Sequence, residues 1–531
     1  MASLVFKDTL LGPEAAKHLL YRTTFFVTPE RIQRFQSLRP DQALDELMDQ
    51  EDLILSEGPL SYSNGAAFLT VNQGSQLPGS IEHLLTKSWI IQELARGRTI
   101  RQKLAFFNHT LFITDFGSPT QAFDYWRLMM NHANGNLKEL AYRVTLNQRM
   151  LIYLNNRINT RESPNENYAR EFLELFTIRK GPQIGKDDYT HYTEQDVRQA
   201  ARVLTGFTDI GRYPLPIDPD TGLQTGFANI HHHDTGDKTF SHAFGGKTIK
   251  GAQDEEDMYR ELQDFIDMIF DQMETARSFV RRMYRYFVSD LIHAEIERDI
   301  ISPLAVELKN QNYEMAPTLR RLLTSKHFYD EDNHTYKVRG AKIKSGMELM
   351  FTSFNMLYED NIPDPYQEPQ YYFKDLWRQL KFYASSYGLK LMMPDNVEGY
   401  GGFYKGPNYS QNWINGMTIM ERMEMGKLLI TSDTIIPEPL KLNLVQYVRD
   451  HFDRQEDAQR LVDQVLDTFL VVPPDAARRQ AFKELFLGNA SEEDWHMEWS
   501  SYMAWEDESY VLRPLQELFT AVMSSPDYQV F

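Results

Sequence analysis

Carboxylates and imidazoles that could share a task gather between Ser163 and Asp234. The stretch S-P-N-E-N-Y-A-R-E-F-L-E-L-F-T (163–177) carries Glu171 and Glu174 three residues apart, and the later loop H-H-H-D-T-G-D-K-T-F (231–240) carries the chain's clustered histidines. Imidazole nitrogen with carboxylate oxygen is a ligand set for zinc, iron or manganese, and a pair of helical carboxylates is a frequent half of such a site. On this reading His109, Glu174, His233 and Asp234 hold a divalent metal ion of unspecified identity. Glu171 is then the general base, and Arg170 or Lys238 binds an anionic group. Adjacent histidines cannot all point one way, so at most two of His231, His232 and His233 converge on one ion.

The elements that must position these groups are helices. Ser163-Pro164-Asn165-Glu166 has the form of a capping box, with serine at the N-cap, proline in the first helical position and glutamate at the third. From that start Phe172, Leu175 and Phe176 form an apolar stripe, while Asn167, Arg170, Glu171 and Glu174 form a polar one, so both glutamates project to one side. A second helix is predicted from a cap at Thr193 with Asp196 as acidic partner, a buried stripe of Val197, Ala200, Ala201 and Leu204, and a left-handed stop at Gly206. Arg198 and Arg202 lie on its other side, available to Glu171 or Glu174. The plainer alternative is that these charges only tie crossing helices together by ion pairs.

Elsewhere the signals are weaker. His109 closes an amphipathic stretch over 101–112, where a lone histidine is more often a satisfied core residue than a ligand. Arg277, Arg281, Arg282 and Arg285 share a helix whose Phe279, Val280, Met283, Tyr284 and Phe287 face the core. They read as a solvated or ion-paired face, with anion binding as the alternative. The segment Pro394 to Gly402, followed by Trp413-Ile414-Asn415, is Gly-rich and aromatic without the Walker spacing. It is expected to pack on the core, or more sharply to form the wall of a substrate pocket. Asp218-x-Asp220-x-Gly222 lacks the glycine and closing glutamate of a calcium loop. There is no Ser-centred nucleophile elbow, H-E-x-x-H or kinase signature.

The chain has 531 residues, 42% of them hydrophobic and 13% aromatic, which is the composition of a folded protein. Its 56 basic and 75 acidic residues leave a formal charge of -19, so a nucleic-acid partner is not expected. The absence of cysteine removes disulfides and thiolate chemistry. No apolar stretch is long enough to span a membrane and the start lacks the pattern of a signal peptide, so the expected location is cytoplasmic as written, or exported if the chain is a trimmed mature form. Helical spacing dominates, as at Ile100, Leu104, Phe107 and Leu111. The expected fold is mainly α: a large multi-helix, bundle-like domain with long irregular loops and little or no sheet. Residues 1–430 would form its body, with an insertion near 331–375 that includes Asp360, Asp364 and the run Tyr366 to Phe373. Residues 431–531 would form a C-terminal helical subdomain packed on it.

A series of motifs resembles the bacterial family known as domain of unknown function 1800. They are Leu19-Leu20-Tyr21-Arg22, Phe107-Asn108-His109, the 163–177 stretch, Y-T-E-Q-D-V, A-R-V-L-T-G-F, H-D-T-G-D-K-T, T-A-R-S-F-V-R-R-M-Y-R-Y-F-V-S-D, K-S-G-M-E-L, P-D-N-V-E-G-Y and W-I-N-G, covering roughly residues 10–430. The resemblance implies a helical bacterial protein of no established activity, often encoded beside a sulfatase-like or alkaline-phosphatase-like protein. Where many members have Trp-His-Asn-His this chain has Phe106-Phe107-Asn108-His109, where many have Leu-His-Thr it has Phe176-Thr177, and a Gly-Trp pair has become Gly399-Tyr400. Two imidazoles of that pattern are absent, which leaves His231 or His232 to substitute. Two functions stand side by side: a metal-assisted enzyme, hydrolytic or oxidative, and a non-enzymatic scaffold or partner protein in which the same charges form a structural buried network.

Overall fold

The computed structural model describes residues 1–49, 79–358, 375–431 and 441–531. Helices joined by long loops make up nearly all of it, as the periodicity predicts. Among the described residues the sheets are two short antiparallel pairs, Phe207–Thr208 with Phe227–Ala228 and Lys238–Thr239 with Thr248–Ile249. Among the same residues no helix is long and apolar enough to cross a membrane.

The helix Gly346–Tyr358 lies at the centre, with all its side chains buried. A helix apolar on every side can only sit inside. Its one acid, Glu348, is matched by Lys103 at 2.6 Å and by the Ser345 amide at 2.7 Å. The helices Gly79–Arg96 and Trp377–Ser386 pack against it. The expected insertion near 331–375 therefore includes a core helix; its acidic and aromatic part, 359–374, lies outside the described residues. Toward the other end of the chain, Thr418–Thr431 packs along Leu512–Ser524. The first helix, Gly12–Thr23, ties distant segments together: Lys17 donates to the Leu470 carbonyl at 2.6 Å, and Arg22 to those of Val338 and Phe531 at 3.1 and 2.6 Å.

Of the two helices predicted to carry the site, the second forms as expected. Thr193 and Asp196 make a reciprocal capping box ahead of Glu194–Val203. Gly206 follows at φ +78°, where a Cβ would also lie 2.6 Å from the Asn229 carbonyl, so no other residue fits there. The first helix differs. Ser163 pairs as an isolated bridge with Thr160, and the helix starts only at Asn167. Two local effects win over the capping pattern: the residue before a proline prefers extended backbone, and the Asn165 side chain accepts the Asn167 amide at 2.9 Å, closing a turn instead. After Glu171 the helix widens to a π-turn over Phe172–Phe176, which alters the angular relation between Glu171 and Glu174.

Candidate functional site

The residues singled out for a metal centre go to separate surroundings. His109 is in the core, its Nδ1 3.1 Å from the Tyr125 hydroxyl and its Nε2 3.0 Å from that of Tyr400. Tyr125 itself donates to the Phe112 carbonyl at 2.5 Å, so it accepts from Nδ1–H, while Tyr400 donates to Nε2. Burial lowers the His109 pKa to about 3, and the neutral ring has no lone pair left for a metal. Glu174 accepts from the Tyr192 hydroxyl at 3.0 Å and pairs with Lys180 at 3.4 Å.

His233, Asp234 and Lys238 do come together, but as a clasp. Glu261, on the helix Glu255–Phe270, meets Lys238 Nζ at 2.5 Å and His233 Nε2 at 3.1 Å and accepts the Ala252 amide at 2.8 Å, all four groups buried. Asp234 is taken by Arg202, at 2.6 and 3.0 Å, rather than leaving Arg202 to Glu171 or Glu174. Arg170 is held by both oxygens of Glu194, at 2.7 and 2.8 Å, and by Glu166. Arg170 and Lys238 are thus occupied by internal carboxylates. His231 and His232 are exposed. Among the described residues no group of three or more His, Cys, Asp or Glu side chains is arranged to hold a metal ion.

A different place has the features of a site. A cleft of about 460 Å³ opens between the helix Met273–Phe287, the chain leaving the π-turn, the helix Arg101–Leu111 and the loop 397–409. Six cationic residues line it, Arg179, Lys180, Arg281, Arg282, Arg285 and Lys342, against the three acids Glu274, Asp290 and Glu398. That surplus of three (six minus three) reverses the sign of a chain whose formal charge is -19. Half of the cations are neutralised: Arg281 by Glu274 and Glu297, Lys180 by Glu174, Lys342 by Asp290. Among the described residues Arg179, Arg282 and Arg285 have no carboxylate within ion-pair distance.

What holds these three is backbone and ring. Arg282 donates to the carbonyls of Phe176, Leu175 and Ser278 at 2.8, 3.3 and 3.4 Å, the first two at the end of the π-turn, where the helical ladder has run out. Arg179 reaches Leu175 at 3.3 Å and leaves the turn at φ +69°, a left-handed backbone rare for a non-glycine residue. Arg285 stacks on Tyr409, 4.8 Å from its ring centre, and its buried Nε–H has no acceptor. Burial, then repulsion by Arg179, holds the Arg282 pKa well below the usual guanidinium range. Burial lowers Arg179 and Arg285 as well, with Arg285 pressing on Arg179. An entering anion would relieve this repulsion.

The fourth wall is the Gly-rich loop. Gly402 packs so closely on Trp413 that a Cβ would overlap the indole, and Asp290 accepts the Ser410 amide at 2.9 Å. The loop presents Val397, Glu398 and the rings of Tyr400 and Phe403 to the cleft. Glu171, at the end of the helix Asn167–Glu171, is half-buried and not part of the cleft lining; burial, then Glu174 and Glu398, raises its pKa to about 7.

The family profile described as protein of unknown function (DUF1800) matches residues 18–530. The chain belongs to that family. Comparison with curated proteins and with solved structures gives no match. The match runs to residue 530, well past the last of the motifs, W-I-N-G at 413–416, so it takes in the C-terminal helices.

In this DUF1800 chain the signal for the cleft was present but outweighed by a general rule. Arg281, Arg282 and Arg285 fall at helical spacings on one face, and no acid stands three or four residues from Arg282 or Arg285. Solvated arginine faces usually alternate with acids. Arg179 had no such mark, because its position depends on the π-turn before it.

Proposed function

We propose that this protein binds a small molecule through an anionic group, a phosphate, sulfate or carboxylate, in the arginine-lined cleft. The observation that carries the reading is the convergence of Arg179, Arg282 and Arg285 without a carboxylate partner among the described residues. Guanidinium forks match tetrahedral and planar oxyanions, and a recessed cleft strengthens the attraction. Glu398 is the carboxylate the loop brings to the cleft, and Glu171, within electrostatic reach of it, is poised to exchange a proton if the bound molecule is transformed. The scattered positions of His109, Glu174, His233 and Asp234 assign no step to a metal. A sulfatase-like or alkaline-phosphatase-like partner, which the family resemblance implies, would handle the same class of anion.

Calorimetric titration of the full chain with sulfate, phosphate and citrate at low ionic strength tests this. Saturable binding of multivalent anions is expected, weakened about tenfold in Arg285→Gln, since a charge-assisted hydrogen bond contributes about 1.5–3 kcal/mol. Heat indistinguishable from dilution for all three anions would refute the reading.

The pH dependence has a defined sign. Glu171 is mostly protonated below its pKa of about 7 and carries a negative charge beside Glu398 above it. Sulfate, which does not titrate in this range, should bind about threefold more weakly at pH 8 than at pH 6. Glu171→Gln should flatten that slope; an unchanged slope in the variant would remove Glu171 from the account.

A further inference from the structure

The arginines make up only part of the cleft lining. A tetrahedral oxyanion has the bulk of two or three water molecules, on the order of 60–90 Å³, which leaves most of the 460 Å³ for something else. Facing that space is a packed row of rings: Phe107 lies 5.0 Å from Tyr286, and Tyr286 lies 5.4 Å from Phe403, between ring centres. Tyr286 and Tyr400 have their hydroxyls engaged, while Tyr404 and Tyr409 line the cleft farther along the loop. Tyr286 donates to the Lys103 carbonyl at 3.2 Å, and Tyr400 is engaged by His109 at 3.0 Å and the Met392 amide at 2.8 Å. A sugar or other polyhydroxylated body would need hydrogen-bonding partners on this side, and burying its hydroxyls without them is costly. A flat apolar body needs none and gains by stacking.

We infer that the ligand is an aromatic anion, its phosphate, sulfate or carboxylate head among Arg179, Arg282 and Arg285 and its ring against Phe107, Tyr286 and Phe403. This rests on the anion-binding reading above and adds the chemistry of the body. The arrangement divides the two jobs between side chains: charge is read by the arginines, shape and polarity by the rings of Phe107, Tyr286 and Phe403. Phe403 is the residue to test, because it is partly exposed and comes from the segment 397–409 rather than from one of the long helices.

The experiment titrates the full chain with inorganic phosphate, phenyl phosphate and glycerol 3-phosphate under one set of conditions, and repeats it with Phe403→Leu and Phe403→Ala, each checked by thermal unfolding. Phenyl phosphate should bind at least tenfold more tightly than phosphate, and glycerol 3-phosphate no more than about twofold more tightly. Phe403→Ala should cut the preference for phenyl phosphate over phosphate at least threefold. If phenyl and glycerol phosphates bind alike, or glycerol 3-phosphate binds better, the aromatic body is wrong while the anion site stands. If none of the three binds, the anion site falls and the inference with it. Should Phe403→Ala unfold, Phe403→Leu carries the comparison, and an unaltered phenyl preference in it overturns the role of the ring wall.

Discussion

Glu261→Ala should lower the unfolding free energy by about 3–5 kcal/mol in urea titrations, because it strands a buried lysine. Among the described residues Glu261 is the one carboxylate within ion-pair distance of both Lys238 and His233, and neither of those side chains reaches solvent. Burial already pulls the Lys238 ammonium below its ordinary range, with Glu261 as the main force opposing that. The Lys238→Met, Glu261→Leu double variant should recover much of the loss, since apolar replacement of a whole buried pair is often neutral or better. Anion binding should be unchanged in any of these that fold, because none of the three residues lines the cleft. A loss under 1 kcal/mol in the single variant would contradict the clasp.

Arg282→Gln with Arg285→Gln should do the reverse. Sulfate affinity is expected to fall about a hundredfold, two charge-assisted contacts at about tenfold each, while stability changes by no more than about 1 kcal/mol. Neither arginine has a carboxylate within ion-pair distance among the described residues, so removing them strands no buried acid, and relief of the repulsion between Arg282 and Arg179 offsets the lost bonds to Leu175 and Phe176. Arg285→Lys should fall between, keeping the charge but losing the fork. Large destabilisation with unchanged sulfate binding would make these arginines structural. The two sets of variants together separate a clasp that holds the fold from a cleft that holds a ligand.

Much of the architecture could be read from residue order. The Thr193–Asp196 cap, the Ala200 and Ala201 stripe and the stop at Gly206 are local features, and local chemistry decides them. Ser163 looked equally local, yet Pro164 and Asn165 diverted the chain, and the π-turn over Phe172–Phe176 left no mark in the apolar spacing. That turn matters most for the site, since it presents the Leu175 and Phe176 carbonyls that fix Arg282. The partners of the candidate residues were hidden for a related reason. A sequence shows that His233, Asp234 and Lys238 are close along the chain, but not that Glu261, from another helix, closes on them. It shows four arginines on a helix, but not that Glu274 and Glu297 neutralise Arg281 while, among the described residues, no carboxylate within ion-pair distance neutralises Arg282. Charge balance is a tertiary property. The Gly-rich loop was the better guide, since the pocket-wall alternative named the segment that lines the cleft.

The most direct measurement locates an anion. Crystals soaked in tungstate, at a concentration that saturates binding in solution, should give an anomalous peak bounded by the guanidinium groups of Arg179, Arg282 and Arg285, and crystals of the Arg282→Gln, Arg285→Gln variant should lack it. A cleft empty of tungstate in the wild-type protein, with the ion elsewhere or absent, would contradict the account.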